Sequence, residues 1–418
     1  MKTTYLCNCY NIFLVFSLGI NFAALSRTSM RRINKNKSKS SVLINNKKSQ
    51  LSNQTGKIKK TKKKRKFHIV RVLLQSWPLK KREFVKISSN SGFWLASVSK
   101  KNNLSIDQEK IIISNDQNNI LINGKKVRPD SFYIIPKKGT VELNGNKYKG
   151  ILNVVRIAGK LFIVNCLDLE SYICSVLGTE SWPGWPLEVN KVFAIVSRSY
   201  VMAMIEQRGK KSNIYHVCDT NVHQTYAGEH ASDVIRDAVE QTKGVFLGYN
   251  NKPILAMFDS CCGGVIPARI DDFDFSKAPY LARHYACNHC KRCKIFKWQA
   301  VYSCFELKKL LKSISPKISK LQNVRIKKKD KAGIVQEVII NPGGHAITGK
   351  RLYSLLRPLK SFCFSIKRKK NMYYFDGRGF GHHIGLCQWG AREMVRDGWN
   401  YKRILYFYYP GTKLAYIK

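Results

Sequence analysis

The sequence predicts an α+β fold, because strand signals dominate its first half and helical signals begin only near residue 186. Short apolar runs separated by turn residues fill the region from 67 to about 165. Asn-Gly pairs at 123–124 and 144–145 lie between such runs, and this pair is the strongest short signal for a β-hairpin. We therefore predict one domain over 67–418, with a β-rich part at about 67–165 and a helix-bearing part at about 166–418.

Eight runs in the first half are predicted strands, because they are rich in β-branched and aromatic residues. In chain order they are Val70–Leu74, Phe84–Ile87, Phe93–Val98, Ile111–Ile113, Ile120–Ile122, Tyr133–Ile135, Gly150–Ile157 and Lys160–Asn165. Strands are also predicted in the second half, at Val245–Leu247, Ile254–Phe258 and Val335–Ile340.

The segment Pro186–Gly209 predicts a long helix. Its apolar residues recur at spacings of three and four from Val189 to Ala203, which gives one apolar stripe. Proline suits the first turn of a helix, and glycine suits its end. Shorter helices are predicted at Ala231–Thr242, Phe305–Ile314, Ala391–Asp397 and Tyr401–Tyr409.

The charge balance is extreme, with 74 Lys and Arg against 26 Asp and Glu and a net charge of +48. Such a charge favours polyanionic surroundings, which include nucleic acid, anionic membranes and anionic cell-wall polymers. Residues 27–66 are rich in Lys and Arg and contain no acidic residue, so we predict a disordered segment. It would serve as a tether or as an arm that holds polyanions. Helix-turn-helix, RNA-recognition and zinc-finger layouts are not evident, so no specific nucleic acid is expected.

The first 26 residues indicate the cellular compartment in which the protein acts. The stretch Asn11–Leu25 is apolar but short for a transmembrane span, and Ala24–Ser26 has the small-x-small form of a signal-peptidase site. We expect residues 1–26 to be a signal peptide, with an uncleaved membrane anchor as the alternative. The chain would then be exported to the cell envelope or periplasm, and would contact the membrane only through this segment.

Glu180 is the predicted catalytic residue. It lies in the segment Leu177–Pro183, close in sequence to Trp182, Trp185 and Tyr172. Aromatic, partly dry surroundings raise the pKa of a carboxyl group, and a protonated carboxyl beside flat aromatic faces suits cleavage of a glycosidic bond. On local chemistry alone, an ordinary surface glutamate or a helix cap is the favoured interpretation, because a single glutamate is weak evidence.

Two segments have the composition of metal sites. In the loop Tyr215–Tyr226, Cys218 and His223 could share a Zn²⁺ ion with His216, or all three could be hydrogen-bonding loop residues. The alternative cluster is formed by Cys287, Cys290 and Cys293, in two overlapping C-x-x-C steps. These cysteines could bind zinc together with a nearby histidine. In an oxidising compartment they could instead form disulfides with Cys261, Cys262 or Cys304. Apart from zinc, no cofactor is expected.

Two glycine-rich segments complete the set of motifs. Ser260–Gly264 follows a predicted strand, and Gly377–Ala391 places His382 and Gln388 among five glycines ahead of a predicted helix. The second segment is not a phosphate-binding loop, because no Gly-Lys-Ser/Thr follows. Ser260–Gly264 could let backbone amides approach a ligand closely or could equally be a simple tight turn. In Gly377–Ala391 the His, Gln and Trp side chains could face a polar, ring-bearing ligand, and the alternative is a structural glycine-rich turn.

Taken together and in this order, the motifs resemble those of the stage II sporulation protein D (SpoIID) family. The matching positions are Leu169–Ile173, Glu180, Ser197–Tyr200, Asp219, Gln224, Tyr226, Thr242, Gly244, Ser260–Gly264, Pro279–Leu281, Gly377–Ala391 and Tyr408–Thr412. The sequence departs from the family pattern at His383, where the family often has glycine, and at His223, where it often has cysteine.

The resemblance implies a lytic transglycosylase that cleaves peptidoglycan glycan strands, preferably those stripped of stem peptides, in cell-wall remodelling or sporulation. Glu180 would be its acid and base. The residues implied to contact the substrate are Arg198, Tyr200, Gln224, Tyr226, His382 and Gln388. Some family members carry zinc near the Asp/Gln loop, which supports Cys218 and His223 as ligands.

Two other functions remain open on the sequence. One is a non-catalytic peptidoglycan-binding protein or amidase enhancer, whose partner would be a wall amidase. The other is a hydrolase with two carboxylates, in which Asp168, Glu170 or Asp219 would assist Glu180.

Overall fold

The computed structural model describes residues 69–417, apart from 79–82, 98–102, 107, 117–118, 128, 210–213, 231, 315, 317 and 345. The predicted signal peptide or anchor at 1–26 and the basic segment at 27–66 lie outside the described residues, and both stay predictions. Where the structure describes the chain, no helix is both long and apolar enough to cross a membrane.

A seven-stranded sheet opens the described chain. Its strands, in spatial order, are β13 (Val217–Cys218), β1 (Ile69–Pro78), β12 (Lys160–Asp168), β11 (Ile151–Ile157), β8 (Ser131–Pro136), β3 (Phe93–Ser97) and β4 (Asn103–Ile106). β1 and β12 are antiparallel from the Ile69–Asp168 pair to the Pro78–Lys160 pair. β13 is parallel to β1 and pairs Cys218 with Leu73, so the candidate metal loop is attached to this sheet.

A six-stranded sheet is built from the remaining early strands. In spatial order these are β10 (Asn146–Tyr148), β9 (Val141–Leu143), β2 (Phe84–Ser88), β5 (Lys110–Asp116), β6 (Asn119–Ile122) and β7 (Lys125–Val127). Both Asn-Gly pairs form the predicted two-residue hairpin turns, with positive φ angles of 49° and 78° at Asn123 and Gly124, and of 52° and 80° at Asn144 and Gly145. Type I′ turns need these angles at both central positions, which is why Asn-Gly is favoured there.

The described residues contain seven helices: α1 (Leu169–Glu180), α2 (Leu187–Gly209), α3 (Asp233–Gln241), α4 (Cys304–Lys312), α5 (Gly349–Leu355), α6 (Gln388–Arg396) and α7 (Tyr401–Tyr408). Five of them correspond to predicted helices, with ends shifted by at most three residues. α2 is the central helix, because residues that point to different sides of it are all fully buried: Val192, Ala194, Ile195 and Val196. The α+β class and the β-rich first half are confirmed.

Helix α1 was not predicted. It follows β12 without a loop, since Asp168 is both the last residue of the strand and the N-cap of the helix, where its Oδ1 accepts from Ser171 N at 3.0 Å. The alternating pattern of the strand therefore runs directly into the helix. The helical signal was nevertheless present, because Leu169, Tyr172, Ile173, Val176 and Leu177 recur at helical spacing and are buried.

The later strands form four small sheets. Their spatial orders are β15 (Lys252–Pro253), β14 (Val245–Tyr249) and β24 (Lys413–Tyr416); β16 (Phe258–Asp259) and β23 (Leu386–Cys387); β17 (Lys297–Ser303), β22 (Met372–Arg378) and β21 (Phe364–Lys369); and β18 (Val324–Lys329), β19 (Val335–Ile340) and β20 (Ala346–Thr348). The predicted strand Ile254–Phe258 is wrong except at its last residue. The amides of Ala256 and Met257 bond to the carbonyls of Ile254 and Leu255 two residues earlier, so this stretch turns locally instead of joining a sheet.

Candidate active site

Glu180 is the last residue of α1, and three of the sequence motifs meet at it. The backbone N–H of Thr225, in the loop after β13, donates to Glu180 Oε1 at 2.8 Å. The side-chain Nε2 of Gln388, at the first position of α6, donates to the backbone oxygen of Glu180 at 3.1 Å. Residues 45 and 208 positions away along the chain thus hold one glutamate from two sides.

The surroundings of Glu180 favour its neutral form. Burial raises the pKa of this carboxyl, and the hydrogen bonds from Thr225 offset only part of that effect. A carboxylic acid held this way keeps its proton to higher pH than an exposed glutamate, which is what a general acid requires.

A cluster of tryptophans adjoins the glutamate. The rings of Trp182, Trp185 and Trp389 lie 5.6 to 6.3 Å apart between centroids. Trp185 is almost fully buried and stacks on Phe193 of α2, whereas 43% of Trp182 is exposed. The cluster therefore has a fixed base and an open aromatic face.

Asn190 sets the turn between α1 and α2. Its Oδ1 accepts from Ser181 Oγ at 2.7 Å, and its Nδ2 donates to the backbone oxygens of Trp185 and Pro186 at 3.0 and 3.1 Å. This buried amide fixes the five residues that follow Glu180. Neither Asn190 nor Thr225 was predicted as a site residue, because their contributions are turn geometry and a backbone N–H, which leave no motif.

The loop after β13 is held by a stack of tyrosines. Tyr226 lies between Tyr148 and Tyr172, with centroid distances of 5.7 and 5.4 Å, and its hydroxyl donates to Asn165 Oδ1 at 2.5 Å. The Tyr172 hydroxyl donates to Gln224 Oε1 at 3.1 Å. Gln224 and Tyr226 are both buried, so in this structure they position the loop that carries Thr225.

Arg198 is fully buried and forms a bidentate ion pair with Glu170, with Nη2–Oε2 and Nε–Oε1 distances of 2.6 and 3.1 Å. Its Nη1 donates to the oxygen of Val245 at 2.8 Å, and Glu170 Oε1 accepts from Gly244 N at 3.1 Å. The structure thus places Arg198 inside the protein, where it joins α1, α2 and β14. Tyr200 is half-buried on α2, and burial raises its pKa.

Two of the three predicted metal-loop residues are in contact. Cys218 Sγ lies 2.9 Å from His223 Nδ1, and the Nε2 of His223 has no protein partner. His216 is bonded elsewhere, since its Nδ1 accepts from Arg71 N at 3.1 Å. Burial lowers the pKa of His216 and of His223 to about 4, so both rings are neutral near pH 7.

The glycine-rich segment wraps around β16. His382 is buried, its Nδ1 accepts from Ile384 N at 3.1 Å, and burial lowers its pKa to about 4. A Cβ on Gly381 would lie 2.4 Å from Asp259 Cβ, so only glycine allows this close approach. His383 has a φ of 68°, a conformation natural to glycine, and hydrogen bonds from its N to Asp259 Oδ2 and from its Nδ1 to Cys262 O hold it there.

The second predicted metal segment is part of a larger cysteine cluster. Cys287 and Cys290 lie with Cys262 and Cys387 so that all four Sγ atoms are within 4.8 Å of one another. Cys293 is next to Cys261 instead, at an Sγ–Sγ distance of 3.6 Å. In the described part of the chain, this four-cysteine group is the one set of three or more close metal ligands.

Comparison with known proteins shows that two family models match parts of this region. The profile of a family described as Stage II sporulation protein matches residues 158–249, which include Glu180 and the loop of Thr225. A family described as a domain of unknown function matches residues 277–385, which include two cysteines of the cluster.

Three relatives extend the match over most of the chain. An uncharacterized protein of Brachyspira hyodysenteriae is 31% identical over 278 residues, which cover 65% of this chain and 73% of the relative. The stage II sporulation protein D of Bacillus subtilis is 26% identical over 269 residues, 60% of this chain and 76% of the relative. The amidase enhancer of Bacillus subtilis is 25% identical over 363 residues, 75% of this chain, but the match spans only half of that protein.

Proposed function

The chain belongs to the stage II sporulation protein D family, and we propose that it is a peptidoglycan lytic transglycosylase. It would cleave the bond between N-acetylmuramic acid and N-acetylglucosamine and leave a 1,6-anhydro end, preferring strands stripped of stem peptides. The observation that carries this proposal is Glu180, a carboxyl with a raised pKa that lies two residues before the partly exposed Trp182. The family membership supports a role at the cell wall.

In the proposed reaction Glu180 acts twice. Its carboxylic acid gives a proton to the glycosidic oxygen while the bond from that oxygen to C1 of the muramic sugar breaks. The carboxylate then takes the proton of the 6-hydroxyl of the same sugar, whose oxygen bonds to C1. Glu180 is protonated again at the end, no water is consumed, and one carboxyl group is enough.

Two of the three other candidate carboxylates lie at the opposite end of α1 from Glu180 and have structural partners, which supports the one-carboxyl reaction. Asp168 caps α1, and Glu170 is paired with Arg198, so both have structural partners. Asp219 is the one of the three that a hydrolase would use as its base, and burial raises its pKa to about 6. A two-carboxylate hydrolase would need one of these groups as a free base.

The predicted substrate residues have positioning roles in this proposal. Gln388 is buried and would hold Glu180 through its backbone oxygen, while Trp182 and Trp389 would contact the sugar rings. Arg198, Tyr200, Gln224, Tyr226 and His382 would act by holding the elements that carry these groups. The net charge of +48 would favour adhesion to anionic wall polymers after export.

The test uses the purified full chain and glycan strands freed of stem peptides, with mass spectrometry of the products. Fragments with anhydro ends, lighter by one water than reducing-end fragments and inert to borohydride, are the expected result. Reducing-end products would instead indicate a hydrolase. Strand binding without cleavage, combined with faster release of stem peptides from intact peptidoglycan by an added wall amidase, would favour the amidase-enhancer function for which one relative is named.

Replacing Trp182 with alanine should raise the KM for glycan strands about fivefold with little change in kcat, because an aromatic contact contributes about 1 kcal/mol. The matched control is Trp94→Ala. Trp94 is 39% exposed, close to the 43% of Trp182, but lies on β3 of the seven-stranded sheet. Equal KM values for the two variants would contradict a sugar-binding role for the tryptophan cluster.

Glu180→Gln should also change how stability depends on pH. The folded-state pKa of Glu180 is raised, so its contribution to stability is complete at low pH and is lost as pH rises through the folded pKa. Glutamine cannot ionise, so the variant should have a higher Tm than wild type near about pH 8 and a similar Tm near about pH 4. Thermal unfolding followed by circular dichroism measures this, and a lower Tm for the variant at the higher pH would contradict burial of the carboxyl.

A further inference from the structure

We propose that Cys262, Cys287, Cys290 and Cys387 bind one structural Zn²⁺ ion, at a site separate from the loop of Cys218 and His223. The four cysteines come from three distant parts of the chain. Cys262 is in the turn after β16, Cys287 precedes a short 3-10 helix (His289–Arg292) that contains Cys290, and Cys387 ends β23. Their side chains are at most 1% exposed.

The sulfur spacing fits a single tetrahedral ion. With a zinc–sulfur bond of about 2.3 Å, the sulfurs of a tetrahedral site with four cysteine ligands lie about 3.8 Å apart. Cys262 Sγ and Cys290 Sγ are 3.8 Å apart, and no pair of the four exceeds 4.8 Å. A disulfide needs about 2.0 Å between sulfurs, and all four cysteines are free. A [4Fe–4S] cluster binds each cysteine to a different iron and a [2Fe–2S] cluster divides them between two irons, so both spread the sulfurs more widely.

Donors around the sulfurs are placed to stabilise thiolates. Cys387 Sγ accepts from the backbone N–H groups of Cys262 and Gly390 at 3.2 and 3.3 Å. The Tyr408 hydroxyl lies 3.1 Å from Cys287 Sγ. Cys387 is also the N-cap of α6, where the positive end of the helix dipole favours an anion. Hydrogen bonds of this kind orient the ligands of a metal and offset the negative charge of four thiolates.

The site would connect directly to the residues around Glu180. Cys387 precedes Gln388 and Trp389, and Trp389 N donates to Ser260 O at 3.1 Å, two residues before Cys262. An ion bound at the ends of β16 and β23 would therefore fix the start of α6, and with it Gln388, whose Nε2 donates to the backbone oxygen of Glu180. The metal site itself does not depend on the proposed reaction, since its ligands and spacing are independent of any substrate.

The first measurement is the metal content of the full chain, purified under reducing conditions and supplied with zinc alone. We expect about one zinc per chain that survives dialysis against a weak chelator. It should be retained by Cys304→Ser, a matched control outside the cluster, and by the double variant Cys218→Ser/His223→Ala. It should be lost from Cys290→Ser and from Cys387→Ser. Zinc that follows Cys218 and His223 instead would overturn the proposal.

Two further measurements on wild-type protein do not depend on whether the cysteine variants fold. Cobalt substituted for zinc should give the thiolate charge-transfer band and the intense visible bands of a tetrahedral four-sulfur site. Titration with a thiol reagent in the presence of a chromogenic chelator should release one zinc as four cysteines react together. Cysteines that react singly without releasing metal, disulfides among the four, or iron with inorganic sulfide would each refute the site.

Discussion

Replacing Glu180 with glutamine is expected to reduce cleavage of glycan strands by at least about 1,000-fold, because the variant lacks the group that supplies and removes the proton. Glutamine is close to glutamate in shape, and its Oε1 can still accept from Thr225 N, as Glu180 does at 2.8 Å. The backbone bond from Gln388 is also unaffected, since it ends on the main-chain oxygen of Glu180. The variant should therefore bind strands with unchanged affinity while kcat falls.

The control for this prediction is Glu206→Gln on α2. Glu206 is exposed, so the same chemical change is made on the same pair of helices without touching the site. Full activity in Glu206→Gln together with loss in Glu180→Gln would support Glu180 as acid and base. If Glu180→Gln keeps most of the wild-type rate, another residue performs the chemistry. If wild type also fails to cleave but binds, the protein is a binding partner and the retained affinity of the variant is the informative result.

The sequence predicted the elements with strong periodicity and missed those whose pattern changes within a few residues. The two Asn-Gly hairpins and helix α2 were predictable because their signals are local and complete. Helix α1 was missed because a strand passes into it at Asp168 without a turn. Ile254–Met257 was predicted as a strand from composition, but an apolar stretch pairs with neighbours only where the rest of the fold offers an edge.

The candidate site was predictable only where a local sequence motif marks its residues. Glu180 and Gln388 belong to motifs, and the structure brings them together. The contributions of Asn190 and of the Thr225 backbone depend on the folded turn, and no local pattern announces them. Only the C-x-x-C step of Cys287 and Cys290 is visible in the sequence, whereas Cys262 and Cys387 join it through the pairing of β16 with β23.

Breaking the ion pair between Arg198 and Glu170 is expected to have the largest effect on stability. Arg198→Met should lower the free energy of unfolding by about 3 to 5 kcal/mol, because a buried pair that loses one partner leaves hydrogen-bonding groups and a charge without compensation. The pair is bidentate, Arg198 is fully buried, and the side chain of Glu170 is only 22% exposed. Chemical denaturation of the full chain measures the change.

Arg236→Ala is the matched control, because Arg236 pairs with Asp233 on the surface, with side-chain exposures of 52% and 84%. An exposed pair contributes at most about 1 kcal/mol, so this variant should unfold almost as wild type does. The double variant Arg198→Met/Glu170→Leu should recover part of the loss, since replacing both charges leaves neither buried alone. The same experiment separates the two roles considered for Arg198. If Arg198 only bound substrate, its replacement would raise KM and leave the free energy of unfolding unchanged. If Arg198 joins α1 to β14 through Glu170 and Val245, its replacement must lower the free energy of unfolding.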